Sequence, residues 1–288
     1  MPKRVLVTGK DGQLGKSIQQ IAFQYPHYVF EFVGRGTVDF SIPQSITDFF
    51  TNKNFDIIIN CAAYTAVDKA ETETELAEKI NHLAVKQLAE IAKKQEIVLI
   101  HISTDYVFNG QNFRPYVETD QTSPQSVYGA TKLKGEQAMQ VINPKGCIIR
   151  TSWVYSEYGN NFVKTMLKLG HERDFLNVVF DQVGAPTYAG DLAKAILEGV
   201  AHNEILEKTE VYHFSNEGAC SWYDFTKAIF SFSGIECDVS PIETKDYITP
   251  ATRPHYSLLN KAKIKASFNF TIPYWQDSLK RCIQLLQE

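Results

Sequence analysis

The sequence predicts an α/β protein built on a doubly wound parallel sheet, with a smaller, interleaved C-terminal lobe. Two observations carry this prediction. Residues 9–15 form a glycine-spaced segment that joins an apolar strand to a helix, and apolar strands then alternate with helical patterns over the first two thirds of the chain. Near-continuous apolar strands are typical of a parallel sheet that is buried on both faces. Together these features indicate a Rossmann-type fold.

The first elements follow closely on one another. Residues 3–8 are predicted to form a buried strand, residues 29–33 a second strand, and residues 56–60 a third that ends at a turn. A helical pattern follows the glycine segment. These elements predict a strand–helix–strand unit at the start of the chain.

The middle of the chain continues the alternation. Residues 70–94 and 128–142 have helical spacing, whereas residues 97–102 and 146–150 are apolar strands. In doubly wound sheets ligands bind beyond the carboxyl ends of the strands. Four residues that follow predicted strands are therefore expected on one rim: Gly9, Ala62, Thr104 and Thr151.

The last third changes character, because aromatic residues and prolines crowd residues 211–254 and strict alternation fades. We expect a dinucleotide-binding domain at residues 1–155, to which residues 178–200 return. Residues 156–177 and 201–288 are expected to form mainly a substrate-binding lobe. No repeat or flexible linker separates the two, so they are predicted to pack tightly.

Composition limits the function classes. The chain has 288 residues, a formal net charge of −4 and a pI near 6.0, which argues against a nucleic-acid surface. No apolar run approaches the roughly 18 residues of a membrane span, and a signal peptide is not predicted. Five scattered cysteines without a Cys-x-x-Cys pair indicate reduced thiols in the cytoplasm and no metal cluster.

The glycine segment has the chemistry of a phosphate-binding loop. Gly9, Gly12 and Gly15 flank Gln13 and Leu14 at the start of the helix. Glycines here allow a tight turn and close backbone approach, and the helix N-terminus favours the pyrophosphate of a dinucleotide. The spacing Gly-x-x-Gly-x-x-Gly differs from the commoner Gly-x-Gly-x-x-Gly. A glycine turn that only joins strand to helix is the alternative.

Tyr128 and Lys132 are candidates for proton transfer. Positions i and i+4 share one helix face, so the phenol and the ammonium are expected to converge. A nearby cation lowers a tyrosine pKa from about 10, and Thr104 offers a hydroxyl to polarise a carbonyl. Alone, such a pair is also compatible with an exposed helix face.

Several blocks of sequence, taken in order, resemble one group of enzymes. The chain is similar to the extended short-chain dehydrogenase/reductases that act on nucleotide sugars and, within them, to the dTDP-4-dehydrorhamnose reductases. The similar blocks cover nearly the whole chain: residues 9–15, 60–71, 103–108, 128–132, 150–155, 181–187 and 253–257.

The resemblance implies reduction of a 4-keto sugar nucleotide on the route to dTDP-L-rhamnose, a sugar of cell-surface polysaccharides. Tyr128 would give a proton to the developing alkoxide, Lys132 would bind the nicotinamide ribose, and Thr104 would hydrogen-bond the substrate oxygen. Asn81 matches an asparagine that organises the site in this superfamily, although a helix-packing role is equally compatible.

One departure distinguishes between related reactions. The 4,6-dehydratases of the superfamily have Thr-Asp-Glu, whereas here Thr104 and Asp105 are followed by Tyr106. The base for elimination is therefore missing, and reduction is favoured over dehydration. Asp105 is expected to bind substrate or to cap a turn.

The cofactor is predicted to be NADPH, with NADH also accepted. No acid follows the second strand, and Arg35 at this place is suited to pair with a 2′-phosphate; a solvated loop arginine is the alternative. The resemblance implies that Asp39 and Phe40 contact the adenine. It also implies that a run after the third strand lines the adenosine and pyrophosphate: Ala62, Ala63, Tyr64 and Thr65.

Trp153 is the main substrate-binding candidate, with a core tryptophan as the alternative. Val67, Tyr106 and Arg253 are further candidates, and Arg253 would pair with the diphosphate or form a surface ion pair. No metal is expected, because Lys16 and Ser17 stand where some family members have an acid. The expected partner is a small-molecule substrate, with a homodimer possible.

Two rival functions stay open. One is another nucleotide-sugar reductase or epimerase of the same fold, and an epimerase would keep its cofactor bound. The other is a non-catalytic regulatory subunit. The intact set of Thr104, Tyr128 and Lys132 favours an enzyme.

Overall fold

The computed structural model describes residues 2–201 and 206–288, and a parallel sheet of six strands lies at its centre. The strands are β1 (Lys3–Thr8), β2 (Tyr28–Val33), β3 (Ile57–Asn60), β4 (Val98–Thr104), β5 (Gly146–Thr151), β6 (Val154–Tyr155), β7 (Phe175–Val179), β8 (Val183–Gly184), β9 (Thr187–Tyr188), β10 (Thr209–His213), β11 (Cys220–Ser221) and β12 (Asp238–Ile242).

The helices lie on both faces of this sheet and in the second lobe. They are α1 (Gln13–Ile21), α2 (Pro43–Phe50), α3 (Val67–Ala70), α4 (Thr74–Glu78), α5 (Ala84–Gln95), α6 (Val127–Ile142), α7 (Phe162–Glu172), α8 (Ala189–Ala195), α9 (Trp222–Ser233), α10 (Ala262–Phe268) and α11 (Trp275–Gln287).

The strand order explains where a ligand can bind. The six strands lie in the order β10-β5-β4-β3-β1-β2, and every neighbouring pair is parallel. From β1 the chain moves outward to β2 and then returns to β3 on the other side of β1. The reversal opens a crevice at the carboxyl ends of β1 and β3, where doubly wound proteins bind ligands. The predicted fold class is confirmed.

Burial on both faces explains why the central strands are apolar throughout. Val5 and Val7 pack into a core that contains residues of α1 and α8, whereas Leu6 packs into the core under α2 and α5. All three side chains are fully buried. A strand of this kind gains from apolar residues at every position, not at alternate ones.

The long helix predicted at residues 70–94 is interrupted. It consists of α3, α4 and α5, with one π-helical turn at Lys79–Leu83 between the last two. The inserted turn carries Asn81, whose side chain is fully buried. π-Turns are rare and are found mostly at functional sites, and apolar spacing does not reveal them.

The second lobe has its own core, but the chain returns to the sheet twice. Phe225, Trp275 and Leu279 pack into the core of this lobe, whereas α8 packs with α1 in a core of the central sheet. Strand β10 falls in the range 201–288 predicted for the second lobe, yet it pairs with β5 of the central sheet. Residues 202–205 of that range lie outside the described residues, and the domain division itself stays a prediction.

Two further features bear on the sequence predictions. Among residues 2–201 and 206–288, no helix has both the length and the apolar character needed to cross a bilayer. All five cysteines are free, and all except Cys61 are buried.

Candidate active site

A cleft of about 820 Å³ lies at the carboxyl ends of the central strands. Its walls come from the loops after β1, β3 and β4, from α6 and from the segment that follows β5. All but one of the predicted site residues line it: Gly9, Gly12, Gln13, Leu14, Gly15, Arg35, Asp39, Phe40, Ala62, Ala63, Tyr64, Thr65, Val67, Thr104, Asp105, Tyr106, Tyr128, Lys132 and Trp153.

The glycine loop brings backbone groups together more closely than side chains would allow. Gly9 has a φ of +68°, and a Cβ there would lie 2.8 Å from the Ala62 nitrogen. A Cβ on Gly15 would lie 2.3 Å from the Gly9 carbonyl oxygen. Gly12 is the N-cap of α1 and supplies no side-chain cap, so the first N–H groups of α1 are left for an anion.

The Gln13 side chain forms hydrogen bonds to a distant segment of the chain. Its Nε2 donates to the Val154 carbonyl at 3.2 Å, and its Oε1 accepts from Ser156 Oγ and Asn161 Nδ2, both at 3.0 Å. The Gln13 side chain therefore joins the glycine loop to β6 and to the segment that follows it. Nothing in the local sequence indicates these partners.

Arg35 and Asp39 form an exposed ion pair beside the cleft. Arg35 Nε lies 3.1 Å from Asp39 Oδ2, with 74% of the arginine side chain exposed. Asp39 Oδ1 accepts hydrogen bonds from the nitrogen and the hydroxyl of Ser41. The Ser41 hydroxyl, more than Arg35, holds the pKa of the Asp39 carboxyl below its usual value. Among the described residues no partner is recorded for the Arg35 Nη groups, which can thus meet a phosphate.

Asn81 holds the loop after β3 in place. Its Oδ1 accepts from the Tyr64 nitrogen at 2.9 Å, and its Nδ2 donates to the Tyr64 carbonyl and to Thr131 Oγ1. Its own carbonyl oxygen lies against α6 at Gly135, where a Cβ would approach it to 2.2 Å. These contacts favour the packing interpretation of Asn81, in which it positions the cleft wall.

Thr104 and Tyr128 meet at the centre of the cleft. The Thr104 hydroxyl donates to Asp105 Oδ1 at 2.9 Å and accepts from the Tyr106 nitrogen. Burial raises the pKa of Tyr128 to about 12; a hydrogen bond from Thr104 opposes this shift and the Asp105 charge adds to it. This direction differs from the sequence expectation that Lys132 lowers the Tyr128 pKa. The phenol therefore carries its proton at neutral pH.

Lys132 is only 1% exposed. Its Nζ donates to the Ile102 carbonyl at 2.6 Å and lies 3.4 Å from His101 Nε2. Burial lowers the pKa of Lys132 to about 8, while Glu136 and Cys61 oppose that shift. The ammonium is thus turned toward β4 rather than to the surface, which excludes the exposed-pair alternative.

Asp105 and Tyr106 occupy a 3₁₀ turn at Asp105–Val107 that follows β4. Asp105 is buried, and its carboxylate faces the hydroxyls of Thr104 and Ser257. Burial raises the pKa of Asp105 to about 6, against hydrogen bonds led by that from Thr104. The Tyr106 ring packs edge-on against Tyr128 with centroids 5.5 Å apart. Asp105 therefore places a carboxyl group directly beside the Thr104 hydroxyl.

Trp153 combines an unusual backbone with an aromatic stack. Its φ is +48°, a conformation that costs about 1–3 kcal/mol in a residue of this size. Its indole stacks on Trp222 of α9, with centroids 3.5 Å apart and an interplanar angle of 11°. Strain of this kind persists where surrounding structure imposes it. Trp153 lines the cleft, and it also packs as a partly buried residue against the core of the second lobe.

Arg253 is the one predicted site residue that does not line the cleft. Its Nη1 and Nη2 donate to the two carboxylate oxygens of Asp68 at 3.0 and 2.8 Å. That pair lowers the pKa of Asp68. Asp68 adjoins Val67, so the pair ties the C-terminal lobe to one wall of the cleft. Of the two alternatives for Arg253, the structure shows the ion pair, which it makes with Asp68.

Several residues of the site were not predicted from the sequence, among them Cys61, His101 and Asn161. Cys61 lines the cleft, His101 contacts Lys132, and Asn161 closes over Gln13. For a histidine inside an apolar strand, the sequence does not distinguish a residue of the site from an ordinary core residue. In the described part of the chain, no group of three or more His, Cys, Asp or Glu side chains is arranged to hold a metal ion.

Comparison with known proteins finds matches along the whole chain. A family model described as the RmlD substrate binding domain matches residues 3–288. The dTDP-4-dehydrorhamnose reductase of Escherichia coli K12 is 41% identical over 299 residues, covering 98% of this chain and 97% of that protein. The enzyme of the same name from Aggregatibacter actinomycetemcomitans is 40% identical over 286 residues, covering 96% and 97%.

Solved structures give the same picture. A dTDP-4-dehydrorhamnose reductase from Clostridium acetobutylicum superposes with a TM-score of 0.93 at 41% identity, covering 99% of this chain and 100% of that one. The Bacillus anthracis enzyme of the same name, solved in complex with NADP, gives a TM-score of 0.92 at 37% identity with the same coverage.

Proposed function

The chain belongs to the dTDP-4-dehydrorhamnose reductase family, and from this premise we propose that it reduces the C4 keto group of dTDP-4-dehydro-L-rhamnose to give dTDP-L-rhamnose. It is an NADP(H)-dependent oxidoreductase. One observation carries the proposal: Thr104, Tyr128 and Lys132 converge in a cleft whose other end is the glycine loop.

The residues of this cleft fit a phosphorylated dinucleotide. The close approach at Gly9 and Gly15 leaves room for a pyrophosphate over the N-terminus of α1. Arg35 would bind the 2′-phosphate through its Nη groups, and Asp39 keeps the guanidinium in place through Nε. Phe40 and the run Ala62–Thr65 would surround the adenosine half, with Asp39 at its edge. NADH, which lacks the phosphate, would use the same site with lower affinity.

The reaction follows from the protonation states of the chain's own groups. When bound, the reduced nicotinamide supplies the hydride. Tyr128 is protonated at neutral pH because burial raises its pKa to about 12, so it can donate its proton to the oxygen that becomes an alkoxide. Thr104 would hydrogen-bond the same oxygen and stabilise its charge. Lys132, as the ammonium, would bind the ribose hydroxyls.

Substrate recognition is proposed for the opposite side of the cleft. Trp153 would cover the sugar, while Val67 and Tyr106 would line its pocket. Asp105 lines the same part of the cleft and would accept a hydrogen bond from a sugar hydroxyl. Arg253 would meet the diphosphate only by giving up part of its pair with Asp68, which makes it the weakest of the substrate assignments.

Reduction is better supported than dehydration. Burial and the neighbouring Asp105 charge raise the pKa of Tyr106, so this side chain cannot act as the base that elimination requires. An epimerase or a regulatory subunit is less supported, since relatives about 40% identical over the whole chain are dTDP-4-dehydrorhamnose reductases. We also propose the domain division given above, a cytoplasmic location in which the free thiols stay reduced, and a homodimer.

The test is substrate-dependent oxidation of NADPH with dTDP-4-dehydro-L-rhamnose generated in situ, followed by identification of the nucleotide sugar formed. A no-substrate reaction and a parallel reaction with NADH serve as controls. We expect dTDP-L-rhamnose and a higher kcat/KM with NADPH. A folded protein that binds NADPH but leaves this substrate unchanged would contradict the proposal and point to a different 4-keto sugar.

A further inference from the structure

The ammonium of Lys132 is held by two groups of β4. It donates to the Ile102 carbonyl at 2.6 Å, and His101 Nε2 lies 3.4 Å from it. An ammonium has three N–H groups arranged tetrahedrally. When two of them are fixed on protein acceptors, the direction of the third is fixed as well. The partner that fixes the second N–H therefore determines where the third one points.

His101 continues a chain of buried polar groups. Its Nδ1 lies 3.0 Å from Asn60 Nδ2, and Asn60 Oδ1 accepts from Thr8 Oγ1 at 2.7 Å. Thr8 Oγ1 in turn accepts from the Ala62 nitrogen at 3.3 Å. Side chains of His101, Asn60 and Thr8 are each exposed by 1% or less. Buried polar groups that hydrogen-bond across three neighbouring strands fix one another's orientation.

We propose that His101 is a positioning residue for the reaction: its imidazole accepts the second N–H of Lys132, which directs the third N–H to the cofactor ribose. This inference rests on the proposed function, because that function assigns the ribose hydroxyls to Lys132. It extends the site from the cleft into the core of the sheet. His101 itself does not line the cleft.

The tautomer of His101 is linked to the charge of Lys132. A charged Lys132 needs an unprotonated Nε2, so the ring hydrogen sits on Nδ1. In the structure the Asn60 amide nitrogen faces Nδ1, so in this state the amide must rotate by half a turn to present its oxygen to the ring. A neutral Lys132 allows a hydrogen on Nε2, and the Asn60 nitrogen then donates to Nδ1. Rotation of the amide and of the Thr8 hydroxyl accommodates both states.

The charges around Lys132 agree with this role. The titratable groups that face it are Glu136 on α6, Cys61 after β3 and His101 on β4. Glu136 is already bound by Ser103 and Arg150. Burial, and then the Lys132 charge, keep the pKa of His101 well below its usual value, so the imidazole stays neutral. A neutral acceptor favours the ammonium and opposes the effect of burial.

Three substitutions separate the Lys132 contact from the Asn60 contact. His101→Gln places an amide group near the position of Nε2, His101→Asn places one near the position of Nδ1, and His101→Leu keeps neither. The measurement is the dissociation constant of NADPH as a function of pH, without substrate, from the fluorescence of the bound nicotinamide. Affinity is expected to fall as pH rises through the Lys132 pKa of about 8.

The midpoint is the pH at which NADPH affinity has fallen halfway between its low-pH and high-pH values. We expect His101→Leu and His101→Asn to lower this midpoint by about one pH unit. His101→Gln should keep it near the wild-type value. His213→Leu is the matched control, since His213 is fully buried in β10 and its ring Nδ1 lies 3.1 Å from the Tyr116 carbonyl oxygen. This control should lower thermal stability without moving the midpoint. Equal midpoints in all variants, or a midpoint preserved by Asn and lost by Gln, would overturn the proposal.

The experiment also separates this inference from the proposed function. NADPH binding does not require the sugar nucleotide, so the midpoints can be compared even if dTDP-4-dehydro-L-rhamnose is not reduced. Loss of turnover with unchanged midpoints would reject the role of His101 and leave the reductase assignment intact. Shifted midpoints in a protein that does not reduce this sugar would support the role of His101 and reject the proposed substrate.

Discussion

Gly15→Ala tests whether the cofactor site depends on close backbone approach. The new Cβ would lie 2.3 Å from the Gly9 oxygen and 2.8 Å from the Lys10 Cα, whereas real Cβ contacts essentially never fall below 3.0 Å. The loop must therefore move by about 0.7 Å, the difference between 3.0 and 2.3 Å. Both atoms are backbone, so no flexible side chain can absorb the shift.

Two opposing energies decide the outcome. Alanine in place of glycine inside a helix gains about 1 kcal/mol, whereas overpacking costs about 1–3 kcal/mol. A site displaced by about 1 Å can lose roughly 100-fold in function. We therefore expect Gly15→Ala to lower stability by up to about 2 kcal/mol and to weaken NADPH binding by at least about tenfold.

Isothermal titration with NADPH and thermal unfolding measure both effects. Gly36→Ala is the matched control, because a Cβ there meets nothing within 4 Å. Gly12→Ala, with a nearest contact of 3.3 Å, should lie between the two. If Gly15→Ala bound NADPH within twofold of the Gly36→Ala control, the close-approach argument would be refuted.

Three other predictions concern side chains. Arg35→Ser should weaken NADPH binding by about 10- to 100-fold through loss of charged hydrogen bonds and leave NADH binding unchanged; equal losses for both cofactors in binding titrations would remove its 2′-phosphate role. Trp153→Ala should raise the KM of the sugar nucleotide about tenfold without changing the NADPH dissociation constant, and steady-state kinetics that show the opposite split would place the indole on the cofactor. Asp105→Asn should raise stability at pH 7 while lowering turnover. Burial raises the folded-state pKa of Asp105 from 3.8 to about 6, so the folded protein holds the proton more tightly and stability falls as pH rises between those values. The substitution should therefore stabilise by about 1–3 kcal/mol at pH 7 and by nothing at pH 4 in denaturant titrations; a gain that is independent of pH would contradict this account.

Local sequence patterns predicted the features that depend on local geometry. The glycine spacing marked the turn between β1 and α1, and the i, i+4 spacing placed Tyr128 and Lys132 on one helix face. Near-continuous apolar runs marked the strands that are buried on both sides. These signals need only neighbouring residues, and the structure confirms the fold class that they predicted.

Features that depend on distant partners could not be predicted in this way. The partners of Gln13 lie more than 140 residues away in the chain, and Asp68, the carboxylate partner of Arg253, lies 185 residues away. His101 lies in an apolar strand, and its sequence context predicts only a core residue. Its contact with Lys132 is visible only in the folded structure. The π-turn that carries Asn81 differs from an α-helix by one residue, which apolar spacing does not resolve.

Electrostatics at the site also required the fold. From sequence, Lys132 was expected to lower the Tyr128 pKa, yet burial dominates and raises it. Desolvation of the phenol and the nearby Asp105 charge raise the Tyr128 pKa, whereas the Lys132 ammonium donates to the Ile102 carbonyl. A protonated phenol suits a reductase, which must deliver a proton after hydride transfer.

The most direct test of the account is the rate of NADPH oxidation by Tyr128→Phe with dTDP-4-dehydro-L-rhamnose, measured in single turnovers at saturating cofactor. The substitution keeps the ring and removes only the proton donor. We predict a loss of about 10²- to 10⁴-fold in rate, with an NADPH dissociation constant within about twofold of wild type because cofactor contacts made by Lys132 remain. A rate close to that of the wild-type protein would contradict the assignment of Tyr128 as the proton donor.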